Sequence, residues 1–218
     1  VKQILNNLKT EITYNEKQVL PINGGLNMAP KFKFTKEEVL TVTIDFIREN
    51  GIEALTAREL AKKLESSTKV IFSLFSNMKN LEDEAKIAVE NIFSEKVNLA
   101  LKDDSPFKRL GVEYILFSKN EPKLFQWLFM KKGIEIGSFK DFLPMRDYEY
   151  RSVIESIDEE YKISIENAKK LYEHLFIYSH GIATLTVTGI YNFTPTEIIE
   201  YMTEVAKSLI VQYLRGID

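Results

Sequence analysis

A helix confined to two turns by its flanking residues constrains this chain most. Thr56-Ala57-Arg58-Glu59 has the form of a capping box, in which the Thr56 hydroxyl accepts from the Glu59 amide and the Glu59 carboxylate reaches back to the Thr56 amide. The helix opened at Ala57 can run only to about Leu64, because Glu65-Ser66-Ser67 supplies turn and cap residues before a second short apolar run, Val70, Ile71, Leu74 and Phe75. Upstream, Asn50-Gly51 stops a helix that begins near Thr35 and turns one stripe inward, Val39, Val42, Thr43, Phe46 and Ile47. A longer helix followed by two short ones across a three-residue turn is the layout of a helix-turn-helix, predicted here as a three-helix domain over residues 31–81.

Helical periods continue downstream and strand signals are scarce, so the fold class is all-α. A long helix is expected from Asn77 to about Leu101, with Leu81, Ala85, Ala88, Ile92, Val97 and Leu101 inward, bridging two regions. Ser105-Pro106 opens a helix to about Asn120 and Glu121-Pro122 another to about Met130, followed by a loop bearing Gly133 and Gly137 and a polar helix around Met145–Glu160. Two longer helices close the chain. One covers Ile165–Ile190; the other is opened by Thr194-Pro195-Thr196-Glu197, with cap, N1 proline and capping-box Glu together, and reaches Leu214. Residues 82–218 thus form a larger helical bundle. Residues 1–30 read as an extension outside the fold, with Ile4, Leu5, Leu8 and Ile12 hinting at a short amphipathic helix. There, Gly24-Gly25 shortly before Met28 resembles a ribosome-binding sequence read as protein, which would place the natural start at Met28.

Composition removes whole classes of function. With no cysteine, disulfides, thiolate metal sites and a cysteine nucleophile are absent, and a reducing, cytoplasmic setting is expected. The first twenty residues are too polar for a secretory signal, and the uncharged stretch Leu175–Thr196 is interrupted by Ser179, His180, Thr184, Thr186, Thr188 and Asn192, which suits a helix buried in protein better than a membrane span. Net charge is uneven: residues 31–81 carry +2, residues 82–218 carry −6. No glycine-rich phosphate loop is present, and His174 and His180, six residues apart, fall on opposite sides of one helix, so no enzyme, cofactor or metal site is expected.

Aromatic residues crowd residues 107–129 as Phe107, Tyr114, Phe117, Phe125, Trp127 and Phe129, with Tyr172, Phe176 and Tyr178 downstream. Large flat side chains with few small partners are hard to close-pack, which leaves room for an apolar cavity. His180 is read two ways, as a core histidine bonded to a backbone carbonyl or as a ligand contact. The helix Ile165–Ile190 is apolar nearly all round, as a helix that also meets a second subunit would be.

The segment Val39–Ile47, then Gly51, Leu55-Thr56-Ala57-Arg58-Glu59-Leu60-Ala61, Phe72-Ser73-Leu74-Phe75, Asn77 and Leu81, resembles the N-terminal helix-turn-helix of TetR-family transcriptional regulators without a gap. Phe117-Ser118-Lys119-Asn120-Glu121-Pro122-Lys123-Leu124-Phe125-Gln126-Trp127-Leu128-Phe129 and His180-Gly181-Ile182-Ala183-Thr184-Leu185 are similar to the marks of the subgroup with a WHG-type ligand-binding domain, and the likeness spans residues 34–214. It implies a homodimeric repressor that binds double-stranded operator DNA and is released by a small apolar or aromatic effector. Operator contacts are implied at Thr56, Arg58, Ser67, Thr68, Lys69, Phe72, Ser73 and Lys79. Effector contacts are implied at Phe117, Phe125, Phe129, Phe176 and His180, and a dimer interface through Leu185 and Leu209 on the last two helices. Three residues depart from the family pattern. Glu65 stands where glycine is common in the turn, Phe72 replaces a phosphate-binding tyrosine while keeping its packing, and Met78 occupies a position usually held by lysine. The alternative is an interaction protein of this fold that has lost operator binding.

Overall fold

Side-chain caps decide where these helices begin. In the computed structural model, residues 34–130, 137, 141–143 and 145–215 are described, all within the compact unit Phe32–Asp218. The expected extension at residues 1–30, with its short helix and Met28, lies outside the described residues, as does Gly133. Helix α1 (Lys36–Asn50) opens on Thr35, whose hydroxyl accepts from the Glu38 amide at 3.2 Å while the Thr35 amide donates to the Glu38 carboxylate at 2.7 Å. It stops at Gly51, whose φ of 85° is open to glycine at little cost. After a 3₁₀ turn, Ile52–Ala54, α2 (Ala57–Lys63) is capped by Thr56, which accepts from the Glu59 amide at 3.2 Å. The return bond from Glu59 to the Thr56 amide is not formed, so only half of the expected box exists.

The turn into α3 (Thr68–Leu74) places Glu65 at φ 48°, and α3 stops one residue short of Phe75, its C-cap. Helix α4 (Met78–Ala100) starts where Asn77 accepts from the Asn80 amide at 2.8 Å. Its buried stripe is Leu81, Ala85, Val89, Phe93, Val97 and Ala100, rather than one through Ala88, Ile92 and Leu101, which are half-buried. Steps of four residues rotate the stripe by about 40° each. The rotation follows the change of partner along α4, from α1 near its start to the aromatic helices α5 (Pro106–Asn120) and α6 (Pro122–Phe129). Both of these begin on an N1 proline.

Helix α7 (Asp147–Tyr161) ends on Lys162 at φ 57°, and α8 (Ile165–Val187) begins at Ser164, which accepts from the Asn167 amide at 3.2 Å. The sequence reading carried α8 to Ile190. It ends at Val187 instead, because Gly189 at φ 72° turns the chain, leaving Ile190 outside the helix and 72% exposed. Helix α9 (Pro195–Arg215) has the full expected box. The Thr194 amide donates to the Glu197 carboxylate at 2.8 Å and the Glu197 amide to the Thr194 hydroxyl at 3.2 Å. The stretch Leu175–Thr196 is therefore split between α8, a turn and the start of α9, and none of the described helices is long and apolar enough to cross a membrane.

The described residues are all-α, without strands. Val39, Leu60, Ile71 and Leu81 are fully buried where α1 to α4 converge, each contributing about 1.5–3 kcal/mol to holding the short helices together. In the remainder, α8 lies along α5 and is flanked by α7 and α9. Helix α1 touches α6 as well as α4, so the three-helix part meets the bundle at two places.

Candidate functional site

Burial of Ile71 and Phe75 turns the opposite face of α3 outward, exposing Lys69, Phe72 and Ser73. Ser67 is exposed at the N-cap, Thr68 is half-buried, and Thr56, Arg58 and Lys79 are exposed on the flanking helix starts. Phe72, which lacks the hydroxyl of the tyrosine it replaces, is 47% exposed on this face. The hydroxyls are partly committed: Thr56 accepts from Glu59, leaving its proton free to donate, whereas Ser73 gives its proton to the Val70 carbonyl at 2.6 Å and can only accept. Lys79 is paired with Asp83, and Lys63 with Glu49. Arg58 and Lys69 have no salt-bridge partner among the described residues, so their charges remain available to an anion.

The five aromatic and imidazole positions singled out in the sequence do converge. Phe117, Phe125, Phe129 and Phe176 are buried and His180 is half-buried. Phe125 lies 5.1 Å from Phe129 and 6.2 Å from His180, ring centre to ring centre. On α8, the rings of Tyr172, Phe176 and His180 stack one turn apart at 6.4 Å and 6.2 Å, within 20° of parallel. Two further members were missed as site residues. Phe142 stacks on Phe129 at 5.9 Å and stands 5.5 Å from His180, and Tyr114 bonds His180 Nδ1 at 2.8 Å. The length of the Gly-bearing loop gave no sign that it returned Phe142 to this cluster. Tyr114 was visible only as one aromatic among many.

His180 thus bonds a tyrosine hydroxyl rather than a backbone carbonyl. Burial pushes the Tyr114 hydroxyl well up and the His180 imidazole down, so both stay neutral near pH 7. Tyr114 meets no other acceptor among the described residues. With Tyr114 as the donor, Nδ1 accepts and the neutral imidazole carries its proton on Nε2. No cluster of metal-ligating side chains occurs among the described residues.

Among polar and charged neighbours such as Lys170, His174, Glu204 and Lys207, several apolar side chains of α8 and α9 stay exposed in the single chain. Ile177 and Leu185 on α8 and Tyr201, Val211 and Leu214 on α9 are exposed, and Leu209 is half-buried; Leu185 is 37% exposed.

This arrangement was compared with known proteins. No family model matches the chain, and no curated protein matches it. Solved structures do. A TetR-like transcriptional regulator from Rhodococcus sp. RHA1 matches with a TM-score of 0.55 at 14% identity, over 83% of this chain and 96% of that one. A TetR variant from Acinetobacter baumannii AYE in complex with minocycline matches with a TM-score of 0.52 at 16% identity, over 84% of this chain and 98% of that one. The fold is that of TetR-like transcriptional regulators. A protein of unknown function, also from Rhodococcus sp. RHA1, shares it at a TM-score of 0.61 and 16% identity, over 85% of this chain and 99% of that one. Within this TetR-like fold, α1–α3 form the helix-turn-helix part and the aromatic cluster lies in the helical bundle that follows.

Proposed function

We propose that the chain is a ligand-responsive transcriptional repressor, with residues 31–81 binding operator DNA and residues 82–218 binding a small apolar or aromatic effector and a second copy of the chain. The outward face of α3 carries this reading. A two-turn helix that exposes Lys69, Phe72 and Ser73 beside the unpaired Arg58 suits insertion into a major groove, with Thr56 and Arg58 on phosphates. Pairing of α8 and α9 with their copies as a four-helix bundle would bury Leu185 and Leu209 and space two such helices about 34–36 Å apart on a palindromic site. An effector held among Phe117, Phe125, Phe129, Phe176 and His180 would release DNA if it preferred the wrongly spaced state, a preference of about 10⁴-fold for a full switch.

Electrophoretic mobility shift with the DNA flanking the protein's own gene, titrated with salt, tests the first half. The expected result is a retarded complex whose affinity falls steeply with salt. Retention of the dimer with no preference for this DNA over unrelated sequence would favour an interaction protein of the same fold. That second reading draws on Phe72 and Met78, which lack the phosphate-binding hydroxyl and ammonium.

A further inference from the structure

Tyr172 is 2% exposed, and its hydroxyl meets no hydrogen-bond partner among the described residues. A buried hydroxyl left unbonded is unfavourable, and such a group in a folded protein calls for an explanation. Three aromatic rings lie around it. Phe176 stacks on it at 6.4 Å, Phe107 lies 6.3 Å away, and the Tyr150 ring stands edge-on at 5.3 Å. The same stack continues to His180, whose Nδ1 is bonded to the Tyr114 hydroxyl; in the tautomer where Nδ1 accepts, Nε2 is a second donor. Burial raises the Tyr172 hydroxyl far above pH 7, which keeps its proton in place to be donated. The wall therefore offers hydrogen-bond donors to whatever lies against it. Phe107, Phe176, Tyr150 and Tyr114 carry no charge, so a carboxylate brought here would lose its hydration without a cation to replace it. Tyr150, the ring edge-on to Tyr172, also lines an open groove of about 550 Å³ between α7 and α8, together with Asp147, Arg151, Glu155 and Lys169.

We infer that the aromatic site takes an uncharged aromatic compound bearing a carbonyl oxygen, and that the Tyr172 hydroxyl donates a hydrogen bond to that oxygen. The inference rests on the effector site proposed above and narrows its ligand from apolar molecules at large to aromatic ketones, esters and quinone-like compounds.

Isothermal titration of the full chain with benzophenone, diphenylmethane and 4-benzoylbenzoate tests it, since the first two differ only at the carbonyl and the third adds a charge. Benzophenone is expected to bind roughly tenfold more tightly than diphenylmethane, and 4-benzoylbenzoate more weakly than benzophenone. In Tyr172→Phe the preference for benzophenone is expected to vanish while diphenylmethane binds as before. That variant removes only an unbonded hydroxyl from a set of packed rings, so it is expected to melt no lower than the wild type. Equal binding of benzophenone and diphenylmethane in the wild type, or a preference that survives in Tyr172→Phe, overturns the inference and leaves the aromatic site standing. Failure of both neutral probes to bind overturns the site and the inference together.

Discussion

Arg48 on α1 reaches Glu121 at the start of α6, Nε to Oε2, at 2.8 Å, and its Nη1 holds Asp45 at 2.5 Å. The first helix of the helix-turn-helix part is thereby tied to the helix that carries Phe125 and Phe129. The sequence reading assigned communication between the two halves to the long helix α4 alone; this contact is a second connection. The pair is partly exposed, so a double-mutant cycle with Arg48→Ala and Glu121→Ala in urea unfolding is expected to give a coupling of about 0.5–1 kcal/mol. Strictly additive effects would mean that the contact carries no energy.

For the proposed operator surface, Lys69→Ala is expected to weaken operator binding and to flatten its salt slope by about one unit if the ammonium meets a phosphate. Arg58→Ala is expected to do the same. Unchanged affinity in both, measured by mobility shift across salt concentrations, would place the DNA elsewhere.

For assembly, Leu185→Glu and Leu209→Glu each place a charge at an apolar position of the proposed interface on α8 and α9. Each is expected to yield monomers or insoluble protein. Sedimentation showing dimers in both variants would locate the interface on another surface.

The turn before α3 holds Glu65 at a φ of 48°, in the left-handed region that side chains avoid. Glu65→Gly is expected to stabilise the protein by about 0.5–1 kcal/mol, the relieved strain exceeding the added freedom of the unfolded chain. The melting temperature is expected to rise by about 1–4 °C. A fall in melting temperature would mean that the Glu65 side chain makes contacts worth more than the strain.

His180 is held below its ordinary value by burial alone. The unfolded chain then binds a proton more readily than the folded one, so this residue's contribution is complete above about pH 6.5 and is lost as pH falls toward the depressed value. Denaturant midpoints are expected to decline over that interval in the wild type and to be flatter in His180→Gln. Identical pH profiles would remove His180 as the cause.

Local signals were the most legible part of this fold. Thr56, Asn77 and Thr194 announced their helices because a cap needs only residues three apart, and Pro106 and Pro122 did so because proline suits the first helical position. Gly189 was overlooked as the end of α8 because the apolar residues after it continued the helical pattern. The crowding of aromatic residues pointed to Phe117, Phe125, Phe129 and Phe176, whereas His180 was open between a core histidine and a ligand contact. Their pairing with Phe142 and Tyr114 was not foreseen, since it depends on how α5, α6 and α8 cross and on where a loop returns. The unbonded Tyr172 hydroxyl could not be read from sequence at all, because whether a polar atom finds a partner is settled only by the whole packing.

Helix α6 has one more property. It carries the chain's single tryptophan, Trp127, 6% exposed and flanked in sequence by Phe125 and Phe129. Indole emission depends on the polarity and mobility of its surroundings, and here one indole reports on the helix that joins the aromatic cluster to α1. The protein thus contains an intrinsic optical label at the junction of its two halves, with which the effector binding proposed above could be followed in real time without attaching a dye.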